Sequence, residues 1–256
     1  MERIMLEVSN LRRSFGGLKA VNDVSFEVAQ GAIKAVIGPN GAGKTTLFNL
    51  ISGILPADGG TIHQNGREIT GLQPHRIAAL GLCRTFQTTK LFPRMSVLEN
   101  VMVGRHPRTR AGFISGLFSL PWTWKEERAI RDRCLELLAA LGLAGSAGEA
   151  ALNLPFGKQR LLEIARALAT EPSLLLLDEP AAGLNIYETR EMADLILKIR
   201  DWGTTVLLVE HDMSLVMDIS DEIVVLNYGQ KVAEGRPEVI QRDPEVIRIY
   251  LGGGHA

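Results

Sequence analysis

The chain has only two cysteines, Cys83 and Cys134, in 256 residues. Two cysteines make no disulfide framework, their spacing does not suit zinc, and a reducing cytoplasm is the expected setting. Neither sign of charge is in excess. With 28 basic and 29 acidic side chains the formal charge is −1, so no nucleic-acid polyanion is expected as a partner. No run approaches the roughly 18 apolar residues needed to span a bilayer, and the start, Met1-Glu2-Arg3-Ile4, lacks a secretory apolar core. Work at a membrane would therefore require docking onto other chains. Internal repeats at solenoid periods and low-complexity segments are missing as well. What the chain does have is 46% hydrophobic content, enough for one large core or two modest ones.

Short β-branched or leucine-rich runs alternate with longer amphipathic stretches, the pattern of parallel strands joined by crossover helices. Ile33-Lys34-Ala35-Val36-Ile37, Leu174-Leu175-Leu176-Leu177 and Thr205-Val206-Leu207-Leu208-Val209 read as buried strands, and each ends at a polar cluster. Active-site groups belong at such carboxyl ends. Leu6-Glu7-Val8, Val24-Ser25-Phe26-Glu27-Val28 and a hairpin near Thr61 to Ile69 predict a small antiparallel β layer. From Val97 to Ala169 the pattern is mostly helical, with Gly and Pro punctuating Arg105 to Trp124.

Gly38-Pro39-Asn40-Gly41-Ala42-Gly43-Lys44-Thr45 fits G-x-x-x-x-G-K-[ST] between a predicted strand and a helix beginning near Thr46. Its glycines let successive N–H groups and a helix dipole face phosphates, Lys44 neutralises β/γ oxygens, and Thr45 offers a hydroxyl to Mg²⁺. The loop through Thr46 is thus the phosphate-binding candidate. Asp178 and Glu179 end the Leu174–Leu177 strand, where Asp178 suits hydrated Mg²⁺ and Glu179 suits polarising the attacking water. His211 ends a third buried strand on the same sheet edge. By itself it reads more readily as a structural hydrogen-bond partner, but beside the other two strand ends it would present an imidazole to the γ-phosphate region. Gln87 offers an amide to Mg²⁺ or water between core and helical segment, although composition alone favours an ordinary surface glutamine. Phe15 suits stacking on adenine or, as an early β-layer aromatic, a place in the core. The expected fold is an α/β P-loop NTPase (RecA-like) in one domain over 1–256. Its nucleotide-binding core with the β layer covers 1–87 plus 166–256, and a helical subdomain is inserted at 88–165.

With these residues in that order, the chain resembles the ATP-binding subunits of ABC transporters over nearly its whole length. It is most similar to the branched-chain amino acid importer ATPases through Phe15-Gly16-Gly17-Leu18, Arg84-Thr85-Phe86-Gln87, Ala181-Ala182-Gly183-Leu184-Asn185, Glu210-His211-Asp212-Met213 and Tyr250-Leu251-Gly252. The resemblance implies ATP and Mg²⁺ as ligands and a head-to-tail partnership with a second ATPase subunit, identical or related. It also implies two membrane permeases, an external solute-binding protein and a peripheral place on the cytoplasmic face of the membrane. Rival readings are a soluble non-transport ABC-type ATPase of repair or translation, and a P-loop phosphotransferase. The former usually carries two nucleotide domains, a coiled coil or a basic arm, and the latter has no use for Gln87, the signature segment or His211.

The family's L-S-G-G-Q appears here as Leu154-Pro155-Phe156-Gly157-Lys158, so Pro155 supplies neither a serine hydroxyl nor a backbone N–H. Gly157, Lys158 and the following helix start remain as candidates for a partner's phosphates. Asn185 stands where many relatives carry Asp in the segment that crosses the dimer seam. Apolar residues including Phe113, Trp122 and Trp124 lie between Arg105, Arg108, Arg110 and Lys125. They suit either packing within the subdomain or a groove for a permease helix, with the arginines expected at the exposed rim. A hydrogen bond to a charged group contributes roughly 1.5–3 kcal/mol, so the change at Pro155 is expected to weaken closure at the partner's site about tenfold to a hundredfold. Pro155→Ser should accordingly raise ATP turnover of the reconstituted complex; an unchanged rate would refute the asymmetry.

Overall fold

The computed structural model describes residues 3–85, 91–105 and 121–251, without the side chains of 121–126 and 251. It divides into two compact units, Met1–Gln87 with Ser173–Ala256, and Thr88–Pro172.

In the first unit, β1 (Ile4–Phe15) and β2 (Leu18–Ala29) form a long antiparallel pair, and β4 (Gly59–Gln64) and β5 (Arg67–Glu68) extend it in the order β2-β1-β4-β5. Leu6 and Val8 point inward from β1, as alternation requires of a sheet with one covered face, and a register shift after Val8, with Asn10 at φ 49°, brings Leu11 inward too. The second sheet consists of β3 (Ile33–Ile37), β6 (Leu82–Arg84), β7 (Leu174–Asp178), β8 (Thr205–Val209), β9 (Glu222–Asn227) and β10 (Gln230–Gly235). Its order is β10-β9-β3-β8-β7-β6, parallel throughout except at β10, which the short Tyr228-Gly229 turn forces to run back. Every residue of β3, β7 and β8 is buried, as continuous apolar runs predict for strands covered on both faces.

The helices of this unit are α1 (Lys44–Ile51), α2 (Pro74–Ala79), α6 (Ile186–Asp201), α7 (Met213–Ile219), α8 (Pro237–Ile240) and α9 (Pro244–Leu251). Phe48 and Ile51 of α1 share one core with Leu6 and Leu11 of the antiparallel sheet and Leu174, Leu176 and Leu207 of the parallel sheet. That core fixes the helix following the phosphate loop against both layers. The helix starts at Lys44, two residues before the Thr46 expected from sequence. Gly43, at φ 104°, is the left-handed turn that releases the chain into it.

The second unit contains α3 (Val97–Arg105), α4 (Pro121–Ala140) and α5 (Phe156–Leu168). Ser96 and Glu99 form a capping box at the start of α3. The buried Asn100 donates to the carbonyls of Phe92, Met95 and Ser96 and accepts from Phe92 N–H, fixing the preceding loop. Arg105 is not the exposed rim cation expected from sequence. It is only 20% exposed and reaches the Ala169 carbonyl and the Glu171 carboxylate, 2.6 Å away, because it sits where α3 meets the end of α5. Gln87, Arg108, Arg110 and residues 113–120 lie outside the described residues.

Several charged side chains are buried in the first unit, one of them on β3. Lys34 of β3 is 3% exposed and held by Glu222 at 2.9 Å, Glu234 and the Glu27 carbonyl. Its carboxylate partners reach solvent, Glu222 at 53% exposure and Glu234 at 26%, so removing Lys34 costs its charged hydrogen bonds rather than leaving a buried charge unpaired. Lys34→Ala should lower unfolding free energy by about 2 kcal/mol in urea denaturation.

Candidate active site

Parallel pairing places three strand ends side by side. Val36 of β3 lies opposite Val209 of β8, and Val209 opposite Asp178 of β7. The phosphate loop leaves the first of these tips, Glu210-His211 the second and Asp178-Glu179 the third. A parallel sheet in this register presents all three segments at one edge.

The loop is closely backed by the fold. A Cβ on Gly38 would come within 2.2 Å of the Leu226 carbonyl oxygen, and one on Gly43 within 2.3 Å of that of Ala20. Only glycine permits this approach. Lys44 Nζ donates to the carbonyls of Gly38 (2.5 Å) and Pro39 (3.1 Å). Burial pushes its ammonium below the usual lysine range, and the neighbouring charges of Glu179 and Asp178 oppose that shift. The Tyr250 hydroxyl of α9 meets the backbone of Gly38, and burial pushes its ionisation up to about 12 against that hydrogen bond.

A cleft of about 440 Å³ is lined by Asn40 to Thr46, Glu179, Tyr228 and the β1–β2 residues Phe15, Leu18, Lys19 and Ala20. Its size suits a nucleotide-sized ligand. Phe15 is 44% exposed there, with the Arg13 guanidinium 4.9 Å from its ring centroid, so it lies at the cleft rather than in the core.

Glu179 N–H donates to the Val209 carbonyl at 2.9 Å, and its backbone adopts φ 49°, a left-handed conformation costly for a side chain of this length. His211 Nδ1 stands 4.0 Å from Glu179 Oε2, and its imidazole is 62% exposed. The buried Glu210 organises this corner. Its Oε1 accepts from Ala181 N–H (2.8 Å), and its Oε2 accepts from His211 N–H (2.9 Å) and Asp212 N–H (3.3 Å). One carboxylate thus ties the turn after Glu179 to the turn carrying His211. Sequence reading gave Glu210 no role, and no local pattern marks it. Asn185 is the N-cap of α6 in a capping box with Glu188, a signal the Asn-Ile-Tyr-Glu spacing does carry.

Gly157 and Lys158 occupy the first turn of α5 in the second unit, with Pro155 as its N-cap residue and no side-chain capping bond. Gln159 donates instead to the carbonyl of Leu154 at 2.9 Å.

A glycine phosphate loop, paired acids and a histidine on adjacent tips of a parallel sheet, flanked by an antiparallel layer, define an ATP-binding cassette. The chain belongs to the ABC transporter family, whose model matches residues 21–182, and a model described as branched-chain amino acid ATP-binding cassette transporter matches 230–256. It is 47% identical to the high-affinity branched-chain amino acid transport ATP-binding protein LivG of Escherichia coli, over 98% of this chain and 99% of that protein. A crystal structure of an ABC transporter ATP-binding cassette in its ADP conformation superposes with a TM-score of 0.83 at 33% identity, covering 97% of this chain and 99% of that one. A dimeric bacterial ABC transporter cassette gives 0.77 at 25% identity, covering 91% and 99%.

A neutral amide in place of the Glu210 carboxylate would keep one acceptor oxygen for three N–H donors. Since hydrogen bonds to charged groups contribute about 1.5–3 kcal/mol, Glu210→Gln should lower stability by about 3 kcal/mol in thermal or urea unfolding.

Proposed function

We propose that the chain is the ATP-binding and ATP-hydrolysing subunit of an ABC importer for branched-chain or related amino acids, acting at the cytoplasmic face of the membrane. The observation that carries this reading is the register of β3, β8 and β7, which aligns the loop of Lys44, His211 and Asp178-Glu179 along one edge. The substrate class rests on the likeness to the LivG protein and on the match at 230–256. Among the described residues no helix is long and apolar enough to cross a membrane, so permeases are assigned to partner chains.

The N–H groups of the phosphate loop and the start of α1 cradle the β- and γ-phosphates, with Lys44 against their charge. Phe15, at the mouth of the same cleft, packs on the adenine. Glu179 accepts a proton from the attacking water, and His211 holds the γ-phosphate region from the neighbouring tip. The donor set fits Mg²⁺: Thr45 and Asp178 offer oxygen ligands, with Gln87 as a further one. Among the described residues no cluster of three or more His, Cys, Asp or Glu forms an all-protein cage. Mg²⁺ usually takes one or two protein oxygens and completes its shell with water and substrate phosphates. When bound, it neutralises charge developing on the phosphates.

Gly157 and Lys158 serve the nucleotide of a second ATPase subunit placed head-to-tail, so hydrolysis requires the pair. Closing a dimer from almost always open to almost always closed takes about 5.5 kcal/mol of differential binding, supplied by phosphate contacts made only when closed. Gln87 and the helical unit pass that movement to two permeases fed by an external solute-binding protein. Removing the general base should lower steady-state hydrolysis on the order of 10²–10⁴-fold. Glu179→Gln should therefore bind ATP as the parent does and accumulate as a closed pair on size-exclusion chromatography; normal phosphate release in a turnover assay would refute the assignment.

A further inference from the structure

Arg84 ends β6, the strand beside β7, and its side chain is 5% exposed. Its Nη2 donates to Asp178 Oδ2 at 2.7 Å, and its Nη1 donates to Asn49 Oδ1 at 2.8 Å and Ser52 Oγ at 2.9 Å. Its guanidinium also lies 5.6 Å from the Phe48 ring centroid. Asn49, Ser52 and Phe48 belong to α1 and its C-cap, the helix that starts at Lys44 and carries Thr45 in its first turn. One buried cation therefore bridges the helix bearing the phosphate-loop lysine and the strand tip bearing Asp178, which is itself 4% exposed.

The chemistry of this pair goes beyond holding two elements together. Asp178 must present an oxygen in the right direction to ligate a hard cation. Arginine stays protonated at any working pH, and its planar fork orients a carboxylate in a way that a flexible ammonium does not. Carboxylates that ligate metals are themselves held by hydrogen bonds, and loss of such a partner typically costs 10–100-fold in metal affinity. We infer that Arg84 is the positioning residue for Asp178: it holds that carboxylate in fixed orientation for Mg²⁺, and it links Asp178 to the helix bearing Thr45. This inference rests on the proposed reading of Asp178 as a Mg²⁺ ligand.

Equilibrium binding of a fluorescent trinitrophenyl-ATP to the full chain, in EDTA and across a Mg²⁺ titration, tests it. In Arg84→Gln the affinity in EDTA should stay within about twofold of the parent, while half-saturating Mg²⁺ should rise about 10–100-fold. Arg84→Lys keeps a buried cation but loses the fork, and should give an intermediate rise. It also provides the measurement if the glutamine variant fails to fold. Asn49→Ala, which removes one of the two hydrogen bonds from Arg84 to α1 and its C-cap and spares the Asp178 pair, should leave half-saturating Mg²⁺ near the parent value. A parental Mg²⁺ titration in the Gln or Lys variant would overturn the inference. An equal loss of affinity with and without Mg²⁺ would overturn it too, because that is the mark of a structural clamp on α1. If the parent itself showed no gain in nucleotide affinity with Mg²⁺, the reading of Asp178 would fail first, and that result is distinguishable from the variant outcomes.

Discussion

The hydrogen-bond ladder joining β3, β8 and β7 is the constraint on which the rest of this site depends. Both faces of these strands are covered, so their register is marked by the hydrogen-bond ladder and by where each apolar run gives way to polar residues rather than by which face is buried. With Val36 beside Val209 and Val209 beside Asp178, the polar residues after each strand have one place to go. The site is thus a boundary effect of the core: chemistry begins where the leucine and valine runs stop.

Holding the polar fringe in shape falls to buried ions rather than to the apolar core. Glu210 gathers three backbone N–H groups at the tips of β7 and β8, and Arg84 gathers oxygens from Asp178, Asn49 and Ser52. Each is a carboxylate or guanidinium whose burial is tolerable only because its bonding capacity is used by specific partners. The two ions divide the work. One fixes the backbone that carries Glu179 and His211, and the other fixes the Asp178 side chain against α1.

Much of this was legible in sequence because it obeys local rules. The three buried strands were readable from their mainly apolar runs, and they appear with Ile33–Ile37 and Thr205–Val209 at the expected bounds. The phosphate loop was readable because its glycines and lysine have fixed spacing. The start of α1 at Lys44 was less legible, since nothing in a Gly-Lys-Thr-Thr string says which residue first takes helical torsions. Glu210 and Arg84 were hidden for a different reason. The partners that tie them across the sheet lie far away in the chain, Arg84 meeting Asp178 and Glu210 meeting Ala181 only because their strands are neighbours. No periodicity or spacing encodes such a meeting; the sheet order β3-β8-β7-β6 creates it.

The left-handed backbone at Glu179 has an evolutionary corollary. Glycine or asparagine would accept that torsion at lower cost, so selection for thermal robustness alone would tend to discard the glutamate. With Glu179 as the proposed base, a thermostabilised descendant that had lost it would look better folded and hydrolyse ATP poorly. Anyone ranking variants by melting temperature would therefore do well to hold this codon fixed.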